Sequence, residues 1–157
     1  MALEIERKFL VDTGRLGPLA DGEEIRQGFI PTANLTAVRV RISGAMAWLT
    51  LKGANTGARR SEFEYRIPPG DAQQILDELC TGPVLSKIRY RRQYREHLWE
   101  IDVFEGDNAG LVVAEVELAS ETDSPELPDW VTEEVTGDPR YYNVNLCNNP
   151  FSRWKDE

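Results

Sequence analysis

Cysteine is scarce in this chain, with Cys80 and Cys147 the only two among 157 residues. Two thiols so far apart form neither a disulfide framework nor a metal-ligand spacing, so both are expected to be reduced and partly buried. Histidine is scarcer still. His97 stands alone, beside an expected strand turn, and is read as exposed rather than catalytic. No run of about 18 apolar residues exists, so no spanning helix is expected. The opening Met-Ala-Leu-Glu-Ile-Glu-Arg-Lys lacks the apolar segment of a secretory signal, and a cytoplasmic location is the expectation. An excess of basic residues is also missing. The net charge is −9, which argues against a general nucleic-acid binder. It leaves room for a small anionic ligand at a local basic cluster and suits a site for divalent cations. Repeats, low-complexity tracts and long linkers are absent, so residues 1–157 are read as one domain, large enough to bury a core without staples.

What the chain does have is short-range alternation, the pattern of strands with two chemically different faces. Strands are expected at Leu3 to Val11, Glu24 to Ile30, Val38 to Ser43, Ala47 to Lys52 and Arg60 to Ile67. Others follow at Leu85 to Arg95, Leu98 to Glu105 and Leu111 to Leu118, with a short one at Val131 to Val135. Ser43-Gly44, Gly53 to Gly57 and Glu105 to Gly110 read as hairpin loops. Between the fifth and sixth strands, Ala72, Ile75, Leu76 and Leu79 fall at helical spacing behind Asp71 as N-cap, with Gly82-Pro83 as the stop. The tail from Pro139 to Asn149 reads as a further helix, with Val144 and Leu146 as packing residues and Tyr141 and Tyr142 as a plug for one mouth. The fold class is therefore mainly β (α+β), with a few flanking helices and about eight strands in a mostly antiparallel sheet that closes into a barrel or splits into a sandwich to remove its edges.

The polar faces of these strands are ordered by sign. Carboxylates occur at i, i+2 in Glu4/Glu6, Glu100/Asp102 and Glu115/Glu117. Cations occupy the same kind of position in Arg39/Arg41, Lys52 and Lys87/Arg89/Arg91. A two-residue step keeps side chains on one face of a strand, roughly 6 to 7 Å apart. Turned inward, these faces give a lumen with an acidic side for hard cations and a basic side for phosphate oxygens. The bland alternative is the solvent face of a half-exposed sheet laced by cross-strand pairs. Segregation of sign by strand weighs against it. Glu62 and Glu64 stand between the two readings, and Trp48, Trp99 and Trp130 are read as packing residues.

The segment Glu4-Ile-Glu-Arg-Lys-Phe-Leu-Val11 resembles the Glu-x-Glu-x-Lys opening of the CYTH superfamily, the triphosphate tunnel metalloenzymes. Val38-Arg-Val-Arg41, Thr50-Leu-Lys52, Lys87-Ile-Arg-Tyr-Arg91, Glu100-Ile-Asp102 and Glu115-Val-Glu117 resemble its later strand motifs, in its order. The resemblance covers nearly the whole chain and looks like the short bacterial type. It implies an eight-stranded antiparallel closed barrel, a tunnel that acts on a triphosphate small molecule with Mg²⁺ or Mn²⁺. By that resemblance Glu4, Glu6, Asp102, Glu115 and Glu117 hold metal, and Glu4, Glu6, Lys8, Glu100 and Asp102 are catalytic. Lys8, Arg39, Arg41, Lys52, Lys87 and Arg89 would bind phosphates. The first expectation is hydrolysis of inorganic tripolyphosphate to pyrophosphate and phosphate. Class IV adenylate cyclase, thiamine triphosphatase and a non-catalytic polyphosphate-binding module are the alternatives. No nucleic-acid or membrane partner is expected, and the chain is a monomer or homodimer.

Overall fold

A computed structural model describes residues 3–54, 56 and 58–156. The barrel is built from β1 (Leu3–Val11), β2 (Glu23–Ile30), β3 (Ala37–Ser43), β4 (Met46–Lys52), β5 (Arg59–Ile67), β6 (Thr81–Tyr94), β7 (His97–Phe104) and β8 (Val112–Glu117). Neighbours run in the order β5-β4-β3-β2-β6-β7-β8-β1, and β1 pairs back onto β5, so the sheet closes. Every pairing is antiparallel. The closing seam is short, Leu3 to Ile5 against Ser61 to Arg59. Farther along β1, the short strand β9 (Val131–Glu134) takes over beside Phe9 and Val11.

Much of the hydrophobic core sits outside the barrel, as a charged lumen requires. Ile5, Phe9, Trp99, Ile101, Ala114 and Val116 point outward from β1, β7 and β8. They are covered by Leu16 of the short helix α1 (Thr13–Leu16) and by Trp130. The rings of Phe9 and Trp130 each lie 5.6 Å from Trp99. Both tryptophans are thus packing residues, and Trp48 lies beneath the Arg41 guanidinium at 5.3 Å. On the opposite wall, Val40 and Ala47 are buried under Ala72 and Leu76 of α2 (Pro69–Glu78).

Helix α2 begins two residues earlier than the sequence suggests. Pro68 is its N-cap and Pro69 its first residue, where a missing N–H costs nothing. Asp71 is therefore not the cap but lies in the first turn, facing the positive end of the helix dipole. Gly82 and Pro83 do not stop the helix either, because it ends at Leu79 and both belong to β6. Gly82 has φ of +72° in a strand whose register against β2 shifts between Gln27 and Phe29. A glycine relieves that bulge without steric cost.

The expected tail helix is shorter and broken. A 3₁₀ turn (Pro139–Tyr141) precedes α3 (Asn143–Asn148), and another 3₁₀ segment (Phe151–Asp156) follows. Leu146, Cys147 and Tyr141 pack with Phe29, Leu85, Phe104, Leu111 and Val113. Phe29, Leu85, Phe104 and Val113 continue the alternation of the charged residues along their strands, and Leu111 lies just ahead of β8, so one end of the barrel interior is apolar and α3 seats on it. His97 is half-buried rather than exposed, its Nε2 lying 3.0 Å from both Asp123 carboxylate oxygens. Cys80 and Cys147 are both unpaired.

Candidate active site

A cavity of about 790 Å³ occupies the remainder of the interior. Glu4, Glu6, Lys8, Glu100, Glu115 and Glu117 line it, as do Arg39, Arg41, Lys52, Lys87 and Arg89. Their placement follows from register. Glu6 lies opposite Glu117 and Lys8 opposite Glu115 across β1 and β8. Glu100 is opposite Glu115 across β7 and β8, which makes one wall acidic. Glu62 and Glu64 of β5 also line the cavity.

The acidic wall carries more negative charge than it neutralises. Burial raises the Glu6 carboxyl well above its ordinary range, and the charges of Glu115 and Glu4 push it the same way. Burial likewise raises Glu62, to about 7, helped by its hydrogen bond with Glu4. Burial, Glu4 and Glu100 raise Glu117. Glu4 and Glu115 move the other way. Burial opposes ionisation at Glu4, but the hydrogen bond with Glu62 and the charge of Lys52, 2.9 Å away, hold it low. At Glu115 burial is overcome by Lys8, Arg89 and Lys87. Lys8 lies 3.5 Å from Glu115.

The basic wall is positioned from behind. Asp102, only 1% exposed, accepts from Lys87 Nζ at 2.7 Å and from Arg89 Nε and Nη2 at 2.8 and 2.9 Å. Burial would raise this carboxyl, yet Arg89 and Lys87 lower it to about 2. Both its oxygens are occupied and it does not line the cavity. In this arrangement Asp102 orients the two cations Lys87 and Arg89. Burial lowers Lys87 to about 8, only partly offset by Asp102. Burial, then the charges of Arg41 and Arg89, lower Arg39 to about 10. Glu64 lies 3.5 Å from Arg39 and 3.6 Å from Arg41 and accepts from Thr50 Oγ1. Even so, Arg39 Nε and Arg41 Nε are buried donors without a hydrogen-bond partner among the described residues. Unmatched buried donors are rare, and a phosphate oxygen would satisfy them.

Sequence reasoning did not single out Asn143, which lines the cavity, or Thr50 and Gln27, which bond to residues that line it. Thr50, fully buried, shares a face with Lys52 and was open to the same parity argument. Gln27 and Asn143 offered no such signal. Gln27 lies where its strand turns apolar, and Asn143 reaches the cavity only because α3 folds back over the barrel end.

The donor set suits a hard divalent cation: Glu4, Glu6, Glu115 and Glu117 offer only carboxylate oxygens, and Glu6 and Glu117 are raised by burial and then by neighbouring carboxylates, both of which a bound cation would offset. Among the described residues no three acidic side chains already converge on one point at ligand distance. Residues 2–142 match the CYTH domain family. The chain belongs to that family. A relative from Acetivibrio thermocellus named inorganic triphosphatase is 47% identical over 156 residues, covering 99% of this chain and 100% of its own length. Another of that name, from Nitrosomonas europaea, is 36% identical and covers 92% of this chain and 96% of its own. The crystal structure of the inorganic triphosphatase NE1496 superposes with a TM-score of 0.63 at 33% identity, over 91% of this chain and 96% of that one. The PH1012 protein from Pyrococcus horikoshii, at 20% identity, 75% and 79% coverage and a TM-score of 0.58, shares the fold.

Proposed function

We propose that this CYTH protein is a divalent-metal-dependent phosphoanhydride hydrolase that cleaves inorganic tripolyphosphate to pyrophosphate and phosphate. The observation that carries it is the pair of facing walls, with Glu4, Glu6, Glu115 and Glu117 clustered on one side and, on the other, buried arginine donors unmatched among the described residues. The two inorganic triphosphatase relatives cover nearly the whole chain and support the same substrate.

Arg39, Arg41, Lys52, Lys87 and Arg89 bind the phosphoryl oxygens and offset charge as the leaving pyrophosphate departs. Lys8, beside Glu115 on the cavity wall, contacts substrate or keeps that carboxylate ionised. Glu100 lies 3.4 Å from Arg89 and holds the guanidinium toward the ligand. Glu4, Glu6, Glu115 and Glu117 would hold Mg²⁺ or Mn²⁺, which supplies charge neutralisation and activates the attacking water. All these residues come from one chain, so residues 1–157 are read as one catalytic domain, acting as a monomer or homodimer. Unpaired Cys80 and Cys147 fit a reducing cytoplasm. No described helix is long and apolar enough to cross a membrane.

The test is phosphate release from tripolyphosphate, ATP and thiamine triphosphate with each metal. Metal-dependent release, fastest from tripolyphosphate, is expected. No release from tripolyphosphate with either ion overturns the proposal, and cyclic AMP formed from ATP replaces it with cyclase chemistry.

A further inference from the structure

The C-terminal segment does more than cover apolar residues at the barrel end. Lys87 Nζ donates to Asn143 Oδ1 at 2.9 Å, and Gln27 Nε2 donates to the same oxygen at 2.7 Å. Lys8 Nζ donates to the Tyr141 carbonyl at 3.2 Å. Two lumen cations on separate strands, β1 and β6, are thus tied to Tyr141, just ahead of α3, and to Asn143, its first residue. Lys87 can only donate, so Asn143 must present its oxygen, and the Gln27 amide locks it that way. Gln27, fully buried, is left with its own Oε1 unmatched among the described residues, so the tie persists at a cost to its neighbour.

The number of donors decides what the tie does. An ammonium has three N–H groups. Lys87 directs one to Asp102 and one to Asn143. Lys8 directs one to Tyr141 and has Glu115 as its ion partner. Each lysine lines the cavity with a proton left over. An anion can take that proton without displacing the C-terminal tie, and two fixed acceptors aim it.

We propose that Asn143 is a positioning residue for Lys87, and that docking of α3 and binding of a polyphosphate anion reinforce one another through this contact. The proposal rests on the phosphate-binding reading of the cavity. Coupling between two sites is reciprocal: if docked α3 improves anion binding, the anion must stabilise docked α3 by the same factor.

The experiment measures both directions on the full chain. Tripolyphosphate is added in excess chelator, so that binding occurs without turnover. Calorimetry gives the Kd, and hydrogen exchange follows the amides of residues 143–148. The parent is compared with Asn143→Ala and with Leu146→Val, which loosens α3 packing but touches neither lysine. In the parent, tripolyphosphate should slow α3 exchange on the order of tenfold, the worth of a hydrogen bond to a charged group. Leu146→Val should exchange faster at rest but keep that ligand-induced slowing. Asn143→Ala should lose the slowing and bind tripolyphosphate about tenfold more weakly. Asn143→Asp, which keeps the acceptor, should retain slow resting exchange even if the alanine variant folds poorly, while its added charge weakens anion binding. Equal slowing and equal Kd in parent and Asn143→Ala overturn the proposal, as does faster α3 exchange when the ligand binds. Binding without metal-dependent phosphate release sinks the hydrolase reading alone, whereas no binding by the parent sinks both.

Discussion

Asp102 gives both carboxylate oxygens to Lys87 and Arg89, and all three side chains are buried. Removing one member of such a cluster leaves buried charge uncompensated, which typically costs about 3–5 kcal/mol. Asp102→Ala should lower stability by about that much in denaturant unfolding, and Asp102→Asn by less. A change within error would mean that water already shields these cations. Lys87 adds a pH signature. Its lowered value of about 8 means that its charge is lost as pH rises through about 8, and an anion held by that charge is lost with it. The Kd of tripolyphosphate should therefore rise above about pH 8, and Lys87→Met should bind weakly with a flatter profile. The corresponding stability effect has the opposite slope. The unfolded chain keeps the proton up to the ordinary value of 10.5, so stability contributed by Lys87 increases between about 8 and 10.5.

At the level of elements, β1 carries the greatest functional density. Its inward row is Glu4, Glu6 and Lys8, while outward Ile5 and Phe9 anchor it in the core beneath α1. A change on the inward row can thus alter chemistry without removing packing. Glu6→Gln should abolish metal-dependent phosphate release and leave the circular dichroism unchanged. Because the folded state raises the Glu6 carboxyl, its contribution to stability is lost as pH rises from the ordinary value of 4.5 through the raised one. Glutamine has no such loss, so the ligand-free variant should melt higher than the parent at neutral pH. A lower melting temperature would show that the Glu6 charge is compensated in the fold.

On the scale of the whole molecule, the barrel is held from outside and at one end, and its interior contains charges awaiting ligands. A ligand bound only by the folded state stabilises it by mass action. Mg²⁺ or Mn²⁺ should raise the melting temperature, tripolyphosphate with metal should raise it further, and chelator should reverse the metal effect. An unchanged melting temperature at millimolar Mg²⁺ or Mn²⁺ would contradict the acidic wall as their site.

The alternation of Glu4/Glu6, Arg39/Arg41 and Glu115/Glu117 was enough to place strands, faces and opposed signs, because side-chain direction in a strand repeats every two residues whatever the surroundings. The same rule put Asp102 on the inward face beside Glu100. It could not reveal that Arg89 and Lys87, across the β6–β7 ladder, would occupy both its oxygens. Nor could it turn His97 toward Asp123 or bring Asn143 of α3 to Lys87, because those contacts join segments distant in sequence. The helix errors at Asp71 and Gly82 are local: a proline pair started α2 early, and a glycine bulge carried β6 past the expected stop. The amino-acid order thus determined the polarity of each strand face and the chemical class of the lumen, since these follow from periodicity alone. Tertiary structure decided which charges remain available for a ligand and which neutralise each other, since that depends on distances and burial set by barrel closure.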